Sequence, residues 1–223
     1  EEFTMAGRLR TLTPQYVSRA VDCIATSFAN DPFSRVACLL PKDWAHMSAM
    51  FVSRAAEKNL SLVAVNDNDE VVGVMLNEDW KEKPPLEYYS LEGKWRPIRA
   101  IFSQCRLQYK QIHPRYIERH SVMHPLYFSC VRPEARRQGI MTQMWNKSVE
   151  VASDFHFDHV VTEASSEITG QVCTKLGFKE LTHVPYSTFM CEGKHPFAPL
   201  VESSPFDRLS IFARSVQSGL VVC

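Results

Sequence analysis

The residues with the most specific chemistry in the sequence are Arg136, Arg137 and Gly139, which stand between a short apolar run and a helical pattern. Arginine supplies charge-assisted hydrogen-bond donors for an anion, and glycine lets the backbone approach a ligand closely. The first N–H groups of a helix lack intrahelical partners and carry the positive end of its dipole. This spacing predicts a site for a phosphate or pyrophosphate group. An ordinary strand–loop–helix connection with solvated arginines is the alternative.

Two elements must position this loop. Residues 126–131 form an apolar run with aromatic and β-branched side chains, which is typical of a buried strand. Pro133 ends the strand because proline has no N–H for the ladder. Apolar residues then recur at helical spacing, which predicts a helix directly after the loop. They are Ile140, Met144, Trp145, Val149, Ala152 and Phe155, with the small Ser148 among them.

Length and charge restrict the class of protein. The chain has 223 residues, 45% of them hydrophobic, which fits one α/β domain with a substantial core. Lysine plus arginine equals aspartate plus glutamate at 25 each, so no net field favours nucleic acid or an anionic membrane. No apolar run approaches the length that spans a bilayer, and no signal pattern opens the chain. We expect a domain over residues 8–216 between tails at 1–7 and 217–223, cytoplasmic, as a monomer or homodimer.

The cysteines predict a reducing compartment. There are seven, widely spaced, with no C-x-x-C pair and no cysteine–histidine cluster at zinc spacing. Most lie within apolar patterns, so we expect buried free thiols and no metal site.

The order of predicted elements favours an α/β fold with a central mixed, largely antiparallel sheet flanked by helices. Turn formers at residues 66–69 indicate a hairpin, and the polar, proline-bearing residues 77–93 predict a flexible connection. Strand patterns cover residues 9–12, 61–65, 70–76, 158–164, 178–184, 187–191 and 209–213. Helical patterns cover residues 13–28, with Thr13 as the cap, and residues 43–58, 97–112 and 167–176.

The 131–142 segment resembles the acetyl-CoA loop of the GNAT acyltransferases, in which Arg or Gln, two residues, Gly, one residue and Gly or Ala follow a Val-x-Pro strand end. Here Val131-Arg132-Pro133 and Arg136-x-x-Gly139 fit this pattern, whereas Met141 replaces the last glycine or alanine. The helix-to-strand junction at residues 175–178, Lys-Leu-Gly-Phe, is also similar to the family's. Residues 178–193 resemble the insect arylalkylamine N-acetyltransferases, and together these similarities cover most of residues 8–216.

The resemblance implies that acetyl-CoA is the co-substrate. Its pyrophosphate is expected on the backbone N–H groups of residues 137–142, and its pantetheine arm is expected beside residues 129–131 like an extra strand. The N–H of Cys130 or Val131 is implied as the donor to the thioester oxygen. The implied cofactor-binding residues are Ser129, Cys130, Val131, Arg136, Arg137, Gln138, Gly139, Ile140, Met141, Thr142 and Ser165.

Amine acetylation needs a proton acceptor for the amine and, for the leaving thiolate, a proton donor. Asp31 stands before Pro32, where the resembling insect enzymes have a glutamate that acts as base. Capping of a turn is the alternative role for Asp31. The fallback bases are Glu78 and Asp79, expected to be solvated, and His120 and His124 are further candidates that can relay protons.

The proton donor stays open. Many GNAT enzymes have a tyrosine four residues before the glycine of Leu-Gly-Phe, but this chain has Cys173 there, which we expect to pack in the core. Cys173, Ser165, Ser166 and Tyr186 are the candidates for the donor. Three aromatic residues either line an acceptor pocket or cover the sheet, namely Tyr88, Tyr89 and Trp95.

The sequence thus predicts an acetyl-CoA-dependent N-acetyltransferase for a primary amine of a small molecule, with an arylalkylamine as one candidate. The amine would attack directly in a ternary complex. A protein N-terminal or lysine acetyltransferase and a non-catalytic CoA-binding sensor are the alternatives.

Overall fold

Helices and strands alternate along the part of the chain that the computed structural model describes, residues 7–91, 93–113, 121–125, 128–203 and 207–216. The strands are β1 Arg8–Thr11, β2 Leu62–Val65, β3 Val71–Met75, β4 Asn77–Asp79, β5 Val122–Pro125, β6 Cys130–Val131, β7 His159–Ala164, β8 Lys179–Pro185 and β9 Arg208–Ser215. The helices are α1 Val17–Phe28, α2 Pro32–Ala37, α3 Pro41–Ala55, α4 Leu86–Tyr89, α5 Arg96–Ile112, α6 Ile140–Asp154, α7 Glu167–Lys175 and α8 Ala198–Ser203. The predicted α/β class is confirmed.

The strands form two sheets, and two segments of the chain contribute one strand to each sheet. One sheet has the order β1-β2-β3-β6, and the other has the order β4-β5-β7-β9-β8. Strand β4 follows β3 after the single residue Leu76, and β6 is the next strand in the chain after β5. Since β3 pairs with β6 and β4 pairs with β5, both antiparallel, this pair of chain stretches passes from one sheet into the other.

The parallel backbone ladder between β5 and β7 ends after two paired positions, Val122 with His159 and Met123 with Val160. Side chains still link the two strands at Pro125 and Glu163. Beyond them, β6 pairs with β3, and β7 stays paired with β9 as far as Ala164. Among the described residues β6 and the C-terminal half of β7 are not paired with each other, and we call the space between them the wedge.

Helices cover both faces of the sheets because each has an apolar stripe at helical spacing. Helices α1, α3 and α5 pack on one face around a large core, and α6 and α7 pack on the other face around a smaller one. None of the helices among the described residues is long and apolar enough to cross a bilayer.

Several predicted elements differ from the observed ones. The Thr13 side chain makes no capping hydrogen bond, because a 3-10 turn at Pro14–Tyr16 precedes α1. The predicted strand at residues 187–191 is a turn in which the Phe189 N–H donates to the Pro185 carbonyl at 3.1 Å. The predicted strand at residues 126–131 contains only the two residues of β6 as a described strand, and residues 126 and 127 lie outside the described part.

The predicted flexible connection at residues 77–93 contains β4 and α4 instead. Asn77 is fully buried and its side-chain amide donates to the Leu60 carbonyl at 2.8 Å and to Ser148 Oγ at 2.9 Å. These two bonds attach the start of β4 to α6 and to the residue before Ser61, so a polar stretch becomes a fixed strand.

Candidate active site

The loop before α6 has the geometry that suits an anion. Gly139 is the helix N-cap with φ of 77°, and the first intrahelical bond runs from Gln143 N–H to the Gly139 carbonyl at 3.0 Å. The N–H groups of Ile140, Met141 and Thr142 precede that bond and have no intrahelical acceptor. Residues 136–139 are exposed, so an anion can reach them.

Arg136 and Met141 are both held in defined positions beside this loop. Arg136 Nε donates to the Val131 carbonyl at 3.2 Å and Nη2 donates to the Ser27 carbonyl at 3.3 Å, so the guanidinium joins the end of β6 to the end of α1. The Met141 side chain packs against the smaller core. The Met141 side chain, which is larger than the glycine or alanine usual in the resembling family, therefore packs against the core and does not cover the loop backbone.

Gly73 brings α6 close to the sheet. A Cβ at this position would lie 3.1 Å from Met144 Cε and 3.2 Å from Ile140 Cγ2, tighter than ordinary contacts. Since Gly73 pairs with Val131, the first turn of α6 and the end of β6 are fixed side by side at the wedge.

The backbone of Val131 faces away from β3. The Arg132 N–H donates to the Val72 carbonyl at 2.9 Å, so Arg132 is a hydrogen-bonded position of this antiparallel ladder. Positions alternate along such a ladder, which directs the N–H and carbonyl of Val131 to the opposite edge of β6. The carbonyl of Val131 accepts from Arg136 on that side, in agreement with this direction. Of the two predicted oxyanion donors, Val131 is the one aimed at the wedge.

Ser165, Ser166, Tyr186 and Asp31 gather at the C-terminal end of β7. Ser166 is the N-cap of α7, and its Oγ accepts from the Thr169 N–H at 3.3 Å. The Tyr186 hydroxyl donates to the Ser165 carbonyl at 2.9 Å. Burial, and then the charge of Asp31, raises the pKa of Tyr186 well above its usual value, so the phenol is neutral.

Asp31 caps a turn, which is one of the two roles that the sequence predicted for it. Its Oδ1 accepts the Phe33 N–H at 2.8 Å and caps α2. Asp31 is half-buried and close enough to Tyr186 to affect its pKa. Its possible role as a base stays a prediction.

A cavity of about 600 Å³ lies between α3, α5, β4, β5 and the segment around α4. Tyr88, Tyr89 and Trp95 line this cavity, which is the first of the two roles considered for them. Its aromatic wall also contains Phe51, Trp80, Phe102 and Phe128, whereas Asp31 is not among the described residues that line it. Phe128 directly precedes the 129–131 segment, so the cavity approaches the wedge there.

A buried carboxylate links the cavity wall to β7. Glu163 is fully buried, its Oε2 lies 2.5 Å from His124 Nε2, and its Oε1 forms an ion pair with Arg106 Nε. Burial alone would raise the pKa of Glu163, but the charges and hydrogen bonds of Arg106 and His124 outweigh it and lower that pKa to about 2. Glu163 is therefore a carboxylate at neutral pH, and both His124 and Arg106 line the cavity.

Glu78 is not solvated, contrary to the prediction. It is buried on β4 and accepts from Arg54 Nε at 2.9 Å. Asp79 is half-buried, and His120 lies outside the described residues. Within the described ranges no group of three His, Cys, Asp or Glu residues is placed to hold a metal ion.

Comparison with known proteins gives the fold. No family model matches the chain, and no curated protein matches it in sequence. Arylalkylamine N-acetyltransferase 2 from Aedes aegypti superposes with a TM-score of 0.76 at 18% identity, over 94% of this chain and 99% of that one. The chain has the GNAT fold.

Other solved structures with this GNAT fold match over nearly their whole length. The C-terminal condensation domain of Ebony, in complex with β-alanyl-dopamine, has a TM-score of 0.77 at 19% identity, covering 95% of this chain and 99% of that one. A polyamine N-acetyltransferase of Drosophila melanogaster, which forms N-acetylagmatine, has a TM-score of 0.72 at 12% identity, covering 93% and 99%. The fold expected from the acetyl-CoA loop is thereby confirmed.

Two charged residues of this GNAT-fold site were missed in the sequence. Glu163 is the one ionised side chain within the apolar strand pattern after Asp158, and Arg106 occupies a core-facing position of α5 between Phe102 and Tyr109. A charge at an inward position of a strand or helix was the available signal, because such charges are buried only when they are paired.

Cys173 is fully buried, as expected, and burial raises its pKa to about 12. We expect Cys173→Ala to lower turnover less than about tenfold, short of the roughly 10²–10⁴ that a general acid contributes. Steady-state kinetics with matched thermal unfolding would check this. A larger loss of turnover at unchanged melting temperature would instead assign the thiol to the reaction.

Proposed function

We propose that the protein is an acetyl-CoA-dependent N-acetyltransferase that acts on a primary amine of a small molecule. The observation that supports this is the order of three features along one short segment. Phe128 lines the 600 Å³ cavity, β6 follows at Cys130–Val131 beside the wedge, and the exposed loop before α6 comes next. The loop suits the pyrophosphate of a cofactor, and the cavity suits a small acceptor.

The backbone assigns each part of acetyl-CoA a partner in this proposal. The N–H groups at the start of α6, with Arg136 and Arg137 nearby, hold the pyrophosphate. The pantetheine arm lies in the wedge, beside the edge of β6 to which the Val131 N–H points and close to Ser165. The Val131 N–H stabilises the thioester oxygen as it gains negative charge.

The leaving thiolate needs a hydrogen-bond donor at the same end of β7. Tyr186 is our candidate for this role, because its hydroxyl lies at Ser165 and its raised pKa keeps it neutral. Its single O–H donates to the Ser165 carbonyl in the free protein and would turn from that carbonyl to the thiolate. Ser166 supports the pantetheine arm less directly, since its Oγ already accepts from the first turn of α7.

The cavity wall favours an aromatic monoamine over a polyamine. Its aromatic side chains offer faces and edges for stacking with an aryl group. Of its three carboxylates, Glu78 and Glu82 are already paired with Arg54 and Lys58, and Asp79 accepts the Lys81 N–H, so Asp79 is the one left to attract a second ammonium group. Basic side chains on the same wall oppose such a group, namely Lys81, Lys83, Arg99 and Lys110.

An amine panel tests this proposal by release of free coenzyme A. We expect tryptamine and dopamine to give kcat/KM values at least about tenfold above those of agmatine and spermidine, since one extra unpaired charge costs on the order of 1.4 kcal/mol or more. Peptides with free N-termini or lysine are included in the panel. Faster turnover of a peptide would favour a protein acetyltransferase, and binding of acetyl-CoA without release on any acceptor would favour a sensor.

A further inference from the structure

We propose that His124 takes the proton from the acceptor amine and that Glu163 and Arg106 position it for this step. This inference rests on the proposed function, because it assigns a catalytic residue to the acetyl transfer. His124 is the group that touches the acceptor, and the other two act through it.

The hydrogen bond to Glu163 defines which nitrogen of His124 can react. Glu163 is a carboxylate at neutral pH and can only accept, so Nε2 carries the proton in their 2.5 Å contact. Nδ1 then has the free lone pair, on a ring that lines the cavity. A carboxylate that fixes the tautomer of a histidine in this way also stabilises the imidazolium once it forms.

His124 joins the wall of the proposed acceptor cavity to β7. The paired part of β5 and β7 ends at Met123 and Val160, and Thr162 Oγ1 then donates to the Pro125 carbonyl at 3.1 Å. The His124–Glu163 contact is a second link between these two strands, so the imidazole is held in place while its other nitrogen stays available to an amine in the cavity.

The charges around His124 suit a group that gains a proton. Glu163 faces it from β7, and Arg106 on α5 neutralises part of that charge. Glu78 stands opposite His124 in the β4–β5 register and is held by Arg54. The Trp80 ring packs against the imidazole at 4.4 Å between centroids, and the more distant Lys110 and His113 complete this side of the wall.

In the proposed step, Nδ1 of His124 takes one proton from the ammonium form of the acceptor. The lone pair of the acceptor nitrogen then forms a bond to the thioester carbonyl carbon. The carbon–sulfur bond breaks as the carbonyl reforms. The second proton lost by the nitrogen leaves with the thiolate as coenzyme A, and His124 returns its proton to solvent.

The deciding experiment compares His124→Gln with His183→Gln, because His183 also contacts a carboxylate, Glu180, but is exposed on β8 and is not among the described residues that line the cavity. We expect His124→Gln to lose roughly 10²–10⁴ in kcat with acetyl-CoA affinity within about threefold of the wild type. His183→Gln should keep turnover within about threefold. A loss below tenfold in His124→Gln, or an equal loss in both variants, would overturn the proposal and leave Asp31 as the candidate base.

Two further measurements separate a catalytic role from a structural one. The dependence of kcat/KM on pH should change in His124→Gln, which removes the proposed base, and in Glu163→Gln, which removes the carboxylate that positions it. Added imidazole should restore part of the activity of His124→Ala. Unchanged profiles and no rescue would contradict the assignment.

Nitrogen-15 NMR of labelled histidine tests the arrangement without turnover. In the wild type, His124 is expected as the tautomer with the proton on Nε2, and in Glu163→Gln this preference should weaken. A wild-type tautomer with the proton on Nδ1 would overturn the inference. Since this readout needs no acceptor, the expected tautomer together with a negative amine panel would refute the proposed function while the His124–Glu163 arrangement stands.

Discussion

Gly139→Asp is expected to remove measurable acetyl-CoA binding while the protein stays folded. There is room for a side chain, because a Cβ at this position would have only Gln143 Nε2 within 4 Å, at 3.9 Å. The damage is electrostatic, since the new carboxylate would stand beside the N–H groups proposed to hold the pyrophosphate. Loss of one or two charge-assisted bonds, each worth about 1.5–3 kcal/mol, corresponds to a fall in affinity of roughly tenfold to more than a thousandfold.

Calorimetry can separate this charge effect from backbone strain. Gly177→Asp is a matched control, because Gly177 has the same φ of 77° and no atom within 4 Å of a Cβ, but lies at the end of α7. It should show the same modest loss of stability, about 1–2 kcal/mol, with normal acetyl-CoA binding. Gly139→Asn should bind better than Gly139→Asp. Normal affinity in a folded Gly139→Asp protein would refute the cofactor site.

Glu163→Ala is expected to destabilise the protein by about 3–5 kcal/mol, the largest effect on stability that we anticipate from a single substitution. It removes the carboxylate between Arg106 and His124 and leaves a guanidinium without its buried partner. For a chain of this length the melting temperature should fall by roughly 2–4 °C per kcal/mol. Glu150→Ala is the control, because that carboxylate is exposed and pairs only with Lys147, so it should change little.

The dependence of this effect on pH gives an independent check. The folded pKa of Glu163, about 2, is below its ordinary value of 4.5, so its contribution is fully present above pH 4.5. That contribution is lost as the pH falls towards 2. The difference in unfolding free energy between the wild type and Glu163→Ala should therefore shrink between pH 5 and pH 3 in urea titrations. A constant difference would show that lost packing, and not charge, causes the destabilisation.

Short sequence patterns were enough to predict many elements of the fold. The hairpin of β2 and β3, the helix α5 and the glycine-bearing loop before α6 each have a signal within a few residues, such as turn formers or helical spacing. Gly177 ends α7 in the left-handed conformation, as its place after an apolar helix predicted. These features could be predicted because their causes are close together in the chain.

The elements that sequence reasoning missed depend on distant partners. The Asn-Glu-Asp stretch at residues 77–79 has the composition of a solvated loop, yet Glu78 is buried because Arg54 is there to pair with it. The site around Glu163 is similar, since Arg106 and His124 reach it from different elements. No spacing rule connects three residues that only the folded chain brings together.

The two halves of the proposed site, the cavity and the loop before α6, are built from different parts of the sequence. The wall of the cavity comes chiefly from residues 47–113, whereas the anion-binding loop and its strand come from residues 129–142. Under the proposed function, substitutions around α4 and β4 would therefore change acceptor preference and leave the proposed cofactor loop unaltered. The architecture is modular in this sense, because separate segments of the chain would encode acceptor specificity and cofactor binding.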